Sequence, residues 1–125
     1  LKKILVIDDD GKVGETIKAL LGNHNYEVEY EQDGKKGFEK IKKFKPDLVV
    51  TDLLMPGIHG FDLCKMIKNN VQTRHIPVIA VSAVYQQSAI SYEIMEAGID
   101  AFVKKPINFG RLLENIESLL AKDPA

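Results

Sequence analysis

Apolar residues gather in four short blocks along the chain, and each block stops at a polar residue. Ile4-Leu5-Val6-Ile7 runs into Asp8-Asp9-Asp10, and Leu48-Val49-Val50-Thr51 runs into Asp52. Val78-Ile79-Ala80-Val81 runs into Ser82, and Phe102-Val103 runs into Lys104-Lys105-Pro106. Between the blocks, apolar positions recur at helical spacing. Val13, Ile17, Leu20 and Leu21 mark one helix face, ended near Gly22-Asn23. Asp33-Gly34 opens a second helix carrying Phe38, Ile41 and Phe44, closed by Pro46. Phe61, Cys64 and Ile67 mark a third helix, and Ile90, Ile94 and Ala97 a fourth, ended by Gly98. Leu112, Leu113, Ile116, Leu119 and Leu120 mark a fifth. Tyr26-Glu27-Val28-Glu29-Tyr30-Glu31 alternates strictly, which predicts a strand with one buried face and glutamates suited to an exposed edge.

Short apolar runs alternating with helical patterns predict βα units around a parallel sheet. The runs at Ile4, Leu48 and Val78 are apolar on both faces, as strands covered from both sides must be. The runs at Tyr26 and Ala101 are weaker and are expected to flank them. Right-handed crossovers then give a five-stranded, doubly wound α/β sheet. All the polar endings fall at the carboxyl edge of that sheet, where such folds bind ligands.

A chain of 125 residues fits one domain with a real core. Its net charge of -1 gives no global attraction to nucleic acid or to an anionic membrane. The single cysteine, Cys64, cannot close an internal disulfide, which suits a reducing cytoplasm. No apolar stretch approaches the roughly 20 residues that span a bilayer. Residues 1–121 are expected to form the domain, with 122–125 the start of a linker or C-terminal tail. The chain begins at Leu1 without Met and reads as a trimmed or excised piece.

Carboxylates converging on one crevice repel one another and call for a cation. A hard divalent ion such as Mg2+, held by a few carboxylates together with phosphate oxygens, answers that need. Within the acidic triplet, Asp10 is assigned to capping the helix that follows. Asp8 and Asp9 are assigned to the metal or phosphate. Asp52 precedes a loop too long for simple capping to explain. Strand alternation sends Lys104 and Lys105 to opposite faces, so one of them belongs to the surface. His24, His59 and His75 read as surface or loop residues, and Cys64 as core. Lys35, Lys36, Lys40, Lys42, Lys43 and Lys45 read as a solvated helix face rather than a nucleic-acid patch.

In order and spacing, Ile7-Asp8-Asp9, Asp52-Leu53-Leu54-Met55-Pro56 with Gly60, Ser82-Ala83, Ala97-Gly98, Ala101-Phe102 and Lys105-Pro106 resemble the receiver domain of two-component response regulators. The resemblance covers almost the whole chain. It implies a flavodoxin-like (βα)5 fold with strand order 2-1-3-4-5. It implies a phosphorelay receiver in which Asp52 accepts a phosphoryl group from a histidine kinase or phosphotransfer protein. Asp9 would bind Mg2+ directly, Asp8 mainly through water, and Asp52 and the Leu54 backbone carbonyl would complete the ligands, with Mn2+ able to substitute. Ser82 would hydrogen-bond the acyl phosphate, Lys105 would pair with it, and Phe102 would be the switch aromatic. The Lys105-Pro106 bond would be cis. The fourth helix, fifth strand and fifth helix would carry the signal to an output domain or partner, and a phosphorylation-dependent dimer is compatible with that surface. Such a domain promotes its own phosphorylation and slow dephosphorylation without being a turnover enzyme. Leu54 and Val84 would flank the path of the hydrolytic water and have no group to orient it, which predicts slow loss of the phosphoryl group.

Three departures from the family pattern stand out. His59 replaces the usual Asp or Asn. Ala101 and Asn115 replace an acidic residue and an arginine typical of regulators that dimerise and bind DNA through a winged helix. Two other readings compete. Asp8-Asp9-Asp10-Gly11 resembles the nucleophile loop of haloacid-dehalogenase-type phosphatases, but Lys12 replaces the expected Thr and Asp52 has no role there. A degenerate receiver that only binds partners would lack an acceptor, a metal ligand or the lysine, and none is missing.

Overall fold

The apolar runs at Ile4, Leu48 and Val78 became the central strands because their two faces found separate cores. The computed structural model describes residues 1–53, 55, 60–83 and 96–121. Its elements are β1 (Lys2–Ile7), α1 (Gly11–Gly22), β2 (Tyr26–Glu31), α2 (Gly34–Phe44), β3 (Leu48–Asp52), α3 (Gly60–Lys68), β4 (Val78–Ser82), β5 (Ala101–Lys104) and α4 (Phe109–Ala121). The strands form one parallel sheet in the order β2-β1-β3-β4-β5, as expected. Of the fourth helical pattern, only Ala97 lies within the described residues. Ile90, Ile94, Leu54, His59, Val84 and the tail 122–125 lie outside them.

Side-chain alternation divides each central strand between two cores. Ile4, Val6, Leu48, Val50, Ile79 and Val81 face α1 and α4, meeting Ile17, Leu21, Leu112 and Ile116. Leu5, Ile7, Val49 and Val78 face α2 and α3, meeting Ile41, Leu63, Cys64 and Ile67. Full burial of such a side chain contributes roughly 1.5–3 kcal/mol, which is why the three central strands needed no polar face. Cys64 is buried core, and its thiol donates to the Ala97 carbonyl at 3.1 Å.

β2 is an edge strand, and no residue in it is fully buried. Its glutamates are not all solvated, because Lys40 of α2 reaches Glu29 at 3.5 Å and Glu31 at 3.8 Å. Half-exposed pairs of this kind contribute little stability, but they place charge along an edge that would otherwise pair with another chain. At the far end of the sheet, Lys68 of α3 bonds both the Ile76 carbonyl at 2.8 Å and Asp100 at 2.9 Å. Asp100 in turn accepts the Val78 N–H at 2.7 Å, tying the turn before β5 to the start of β4.

Candidate functional site

Parallel register brings the strand ends to one rim. Ile7 lies beside Thr51, Asp52 beside Val81, and Ser82 beside Lys104. Asp8, one residue past β1, therefore stands next to Asp52 at the end of β3. Ser82 ends β4, and Lys105 follows β5. The Lys105 N–H donates to the Ser82 carbonyl at 2.9 Å, fixing the chain as it leaves the sheet. The Lys105-Pro106 bond is cis.

Asp8, Asp52 and Ser82 are buried, whereas Asp9 is exposed. The Lys105 ammonium lies 3.0 Å from Asp8 Oδ2 and 2.8 Å from Asp52 Oδ2. Lys104 is exposed, so alternation resolved the lysine pair as anticipated. The second Asp8 oxygen, Oδ1, accepts the Asp10 N–H at 2.9 Å. Asp10 itself caps α1, accepting from the N–H groups of Lys12 at 3.0 Å and Val13 at 3.4 Å. The triplet thus divides its labour: Asp8 is sunk beneath the crevice, Asp9 lies at its mouth, and Asp10 closes the helix.

Burial raises the Asp8 carboxyl above its ordinary value, and the charge of Asp52 adds to this, against the lowering effects of the Asp10 N–H and Lys105. For Lys105, burial alone would lower the ammonium, but hydrogen bonds to Asp52 and Asp8 outweigh it and the net shift is upward. The lysine is therefore firmly charged and belongs to both carboxylates.

One oxygen from each of Asp8, Asp9 and Asp52 lies within a 4.8 Å set. Three carboxylates set against one ammonium leave about two negative charges, which one divalent cation balances. An all-oxygen donor set of this kind suits Mg2+ or Mn2+. The residues present therefore fit the metal.

Three residues that sequence reading gave no role also shape the site. Tyr30, at the end of β2, donates its hydroxyl to the Asp8 backbone carbonyl at 2.6 Å. Thr51 is buried and donates to the Asp52 carbonyl at 3.0 Å. Gly14 lies under the Tyr30 ring. Neither a strand tyrosine nor a helix glycine carries a signal of its own in sequence. Gly60, noted earlier only as part of a motif, has a physical reason to be glycine. A Cβ there would overlap the Asp52 carbonyl oxygen, because the chain after β3 folds back so that the Gly60 N–H reaches the Leu53 carbonyl at 2.9 Å. Phe102 is half-buried on β5. The exposed rings of His24 and His75 stand on the surface, as expected. Asp52, bonded to Lys105, holds a central place that the phosphatase reading leaves without purpose.

The response regulator receiver domain model matches residues 4–117. Response regulator ArlR of Staphylococcus saprophyticus is 33% identical over 124 residues, which is 99% of this chain and 54% of that protein. The chain thus spans about half the length of that relative. Polar-differentiation response regulator DivK of Brucella anthropi is 29% identical over 119 residues, covering 95% of this chain and 96% of DivK. Among solved structures, a putative response regulator from Chloroflexus aurantiacus superposes with a TM-score of 0.89 at 29% identity, covering 97% of this chain and 98% of that one.

Proposed function

The chain belongs to the response regulator receiver domain family, and on that premise we propose that Asp52 is its phosphoacceptor. The observation that carries the proposal is the Lys105 ammonium held between Asp8 and Asp52, with Asp9 completing a cluster of carboxylates. Family membership makes the domain a phosphorelay signal receiver. The donor is a sensor histidine kinase or a histidine phosphotransfer protein, and the receiver domain occupies residues 1–121.

In the transfer, an Asp52 carboxylate oxygen attacks phosphorus as the phosphohistidine P–N bond breaks. The electron pair leaves with the imidazole nitrogen, and an acyl phosphate remains on Asp52. Phosphoryl transfer of this kind is mostly positioning and charge stabilisation. Asp8, Asp9 and Asp52 would hold Mg2+, which would supply positive charge to the transferring oxygens; the Leu54 carbonyl, the remaining ligand the resemblance implies, lies outside the described residues. Lys105, a compact ammonium on a flexible stem, moves from the free carboxylate to a phosphate oxygen. Ser82, at the adjoining strand end, donates its hydroxyl to the phosphoryl group.

Phosphorylation replaces one carboxylate charge with a group of about -2. The pocket gains roughly one negative charge, which draws Ser82 and Lys105 inward. The inward shift of Ser82 at the end of β4 lets Phe102 turn, biasing a pre-existing equilibrium of the surface around β5 and α4. An output domain or partner reads that surface. The domain promotes its own phosphorylation and slow dephosphorylation rather than turning over a substrate. Among the described residues no helix is long and apolar enough to cross a membrane, and a cytoplasmic location suits a kinase-fed receiver.

The test is labelling with acetyl phosphate and Mg2+, followed by mapping of the modified residue by mass spectrometry. A single adduct on Asp52, absent from Asp52→Asn, is expected. Undiminished labelling of Asp52→Asn would sink the assignment.

A further inference from the structure

We infer that Tyr30 is a positioning residue for the metal site, acting through the backbone of Asp8, and that Gly14 exists to admit its ring. The inference concerns the same site as the phosphoacceptor reading but depends only on the carboxylates binding Mg2+.

Asp8 and Asp9 sit on a short turn between β1 and α1, and neither carboxylate can be aimed better than that turn is held. β2 holds it from one side. The Asp8 N–H donates to the Glu31 carbonyl at 3.1 Å, extending the β1–β2 ladder by one bond. The Asp8 carbonyl accepts the Tyr30 hydroxyl at 2.6 Å. Backbone donor and acceptor of one metal-site residue are thus both fastened to the end of β2. The second fastening is a side-chain bond that ordinary strand pairing does not supply. It fixes the peptide joining Asp8 to Asp9, so it bears on both carboxylates. Asp10 anchors the far end of the turn as the cap of α1.

The ring reaches that carbonyl by crossing α1 at Gly14. A Cβ at Gly14 would overlap the Cδ1, Cε1 and Cζ atoms of Tyr30. Glycine in the first turns of a helix lowers helix propensity, and the φ of Gly14 imposes no need for it. Room for the Tyr30 ring is the compensating reason. The two residues therefore form one device: a gap on α1, and a phenol passed across it to the metal-site backbone.

The device predicts a particular pattern of coupling. Titrate Mg2+ by calorimetry into the parent, Tyr30→Phe, Gly14→Ala and the double variant. Tyr30→Phe is expected to weaken Mg2+ about two- to tenfold, the value of one lost neutral hydrogen bond. Labelling of Asp52 by acetyl phosphate should then need more Mg2+ for half-saturation, while its plateau rate stays near that of the parent. A merely structural loss would lower the folded fraction without moving the half-saturation point. Gly14→Ala is expected to weaken Mg2+ similarly although it favours the helix. In the Tyr30→Phe background it should add little, because the bond it disrupts is already gone. Unchanged Mg2+ affinity in Tyr30→Phe overturns the inference, and so does full additivity of the two substitutions. A parent that binds no Mg2+ overturns it as well. A parent that binds Mg2+ and shows the expected coupling, yet is not labelled on Asp52, keeps the inference and removes the phosphoacceptor reading.

Discussion

Replacing Lys105 with Met, which keeps the apolar stem and deletes the charge, isolates the electrostatics of the crevice. The ammonium lies 2.8 Å from Asp52 and 3.0 Å from Asp8, and both partners are nearly excluded from water. At an effective dielectric constant near 20, each pair carries roughly 5–6 kcal/mol of gross attraction. Most of that is offset by desolvation. What remains on breaking a buried pair is about 3–5 kcal/mol, because the partner charge is left uncompensated. The Lys105 side chain keeps 18% of its exposure, so water can enter after its loss. The low end, about 3 kcal/mol at pH 7 without metal, is the expected cost, or on the order of 10 °C in Tm.

The sign with pH follows from Asp8. Burial first, then Asp52, holds its folded-state carboxyl above the ordinary 3.8. A raised carboxyl contributes stability that is complete below about 3.8 and is lost as pH rises through the folded value. Removing Lys105 deletes one lowering influence and raises Asp8 further. The destabilisation should therefore be large at pH 7 and shrink on acidification toward the carboxylate range. Mg2+ supplies the missing positive charge, so it should stabilise Lys105→Met more than the parent. Urea unfolding at pH 7 and pH 5, with and without Mg2+, reads all three effects. A variant as stable as the parent at pH 7 without metal, or a penalty that grows on acidification, would refute the electrostatic account.

Asp9→Ala should lose most Mg2+ affinity, whereas Asp10→Ala should keep it and lose about 1 kcal/mol of stability with its helix cap; equal losses of affinity in a calorimetric titration would contradict this. Burial pushes the Cys64 thiol up to about 11, with Lys68 opposing and Asp100 adding. Native Cys64 should therefore resist iodoacetamide at pH 8. Its contribution to stability, of order 3 kcal/mol, should be intact below about pH 9 and fade toward pH 11, checked by denaturant midpoints against Cys64→Ala. Leu54 and Val84 lack groups to orient an attacking water, and orientation can be worth several kcal/mol of barrier. After donor removal, Leu54→Asn with Val84→Glu should lose phosphate faster than the parent; an equal or slower decay ends that reasoning.

Periodicity alone determined the βα alternation, the central placement of the runs at Ile4, Leu48 and Val78, and the edge character of Tyr26–Glu31. Burial on two faces leaves an unbroken apolar run and burial on one leaves alternation, so the pattern records how many neighbours a strand has. The polar residue ending each run was equally legible. Parallel strands in register must end at one rim, so Asp8, Asp52, Ser82 and Lys105 had to meet there. Capping chemistry is local, and it separated Asp10 from its neighbours before any fold was known.

Other features were decided only by the tertiary structure. Alternation said only that one of Lys104 and Lys105 faces the surface, and the family resemblance chose Lys105 for the site; that its ammonium sits between two buried carboxylates was set by the path of the chain after β5. Lys40 covering Glu29 and Glu31 depended on the packing of α2 beside β2. Tyr30, Gly14 and Thr51 read as an edge-strand aromatic, a helix glycine and the last apolar-run residue, because Tyr30 and Thr51 act on backbone carbonyls and Gly14 on the Tyr30 ring. A side chain bonding a distant main-chain carbonyl, or a missing Cβ making room for a ring, has no local periodicity to betray it. Such contacts depend on which two segments the sheet order sets side by side, and that choice is made by the whole core at once.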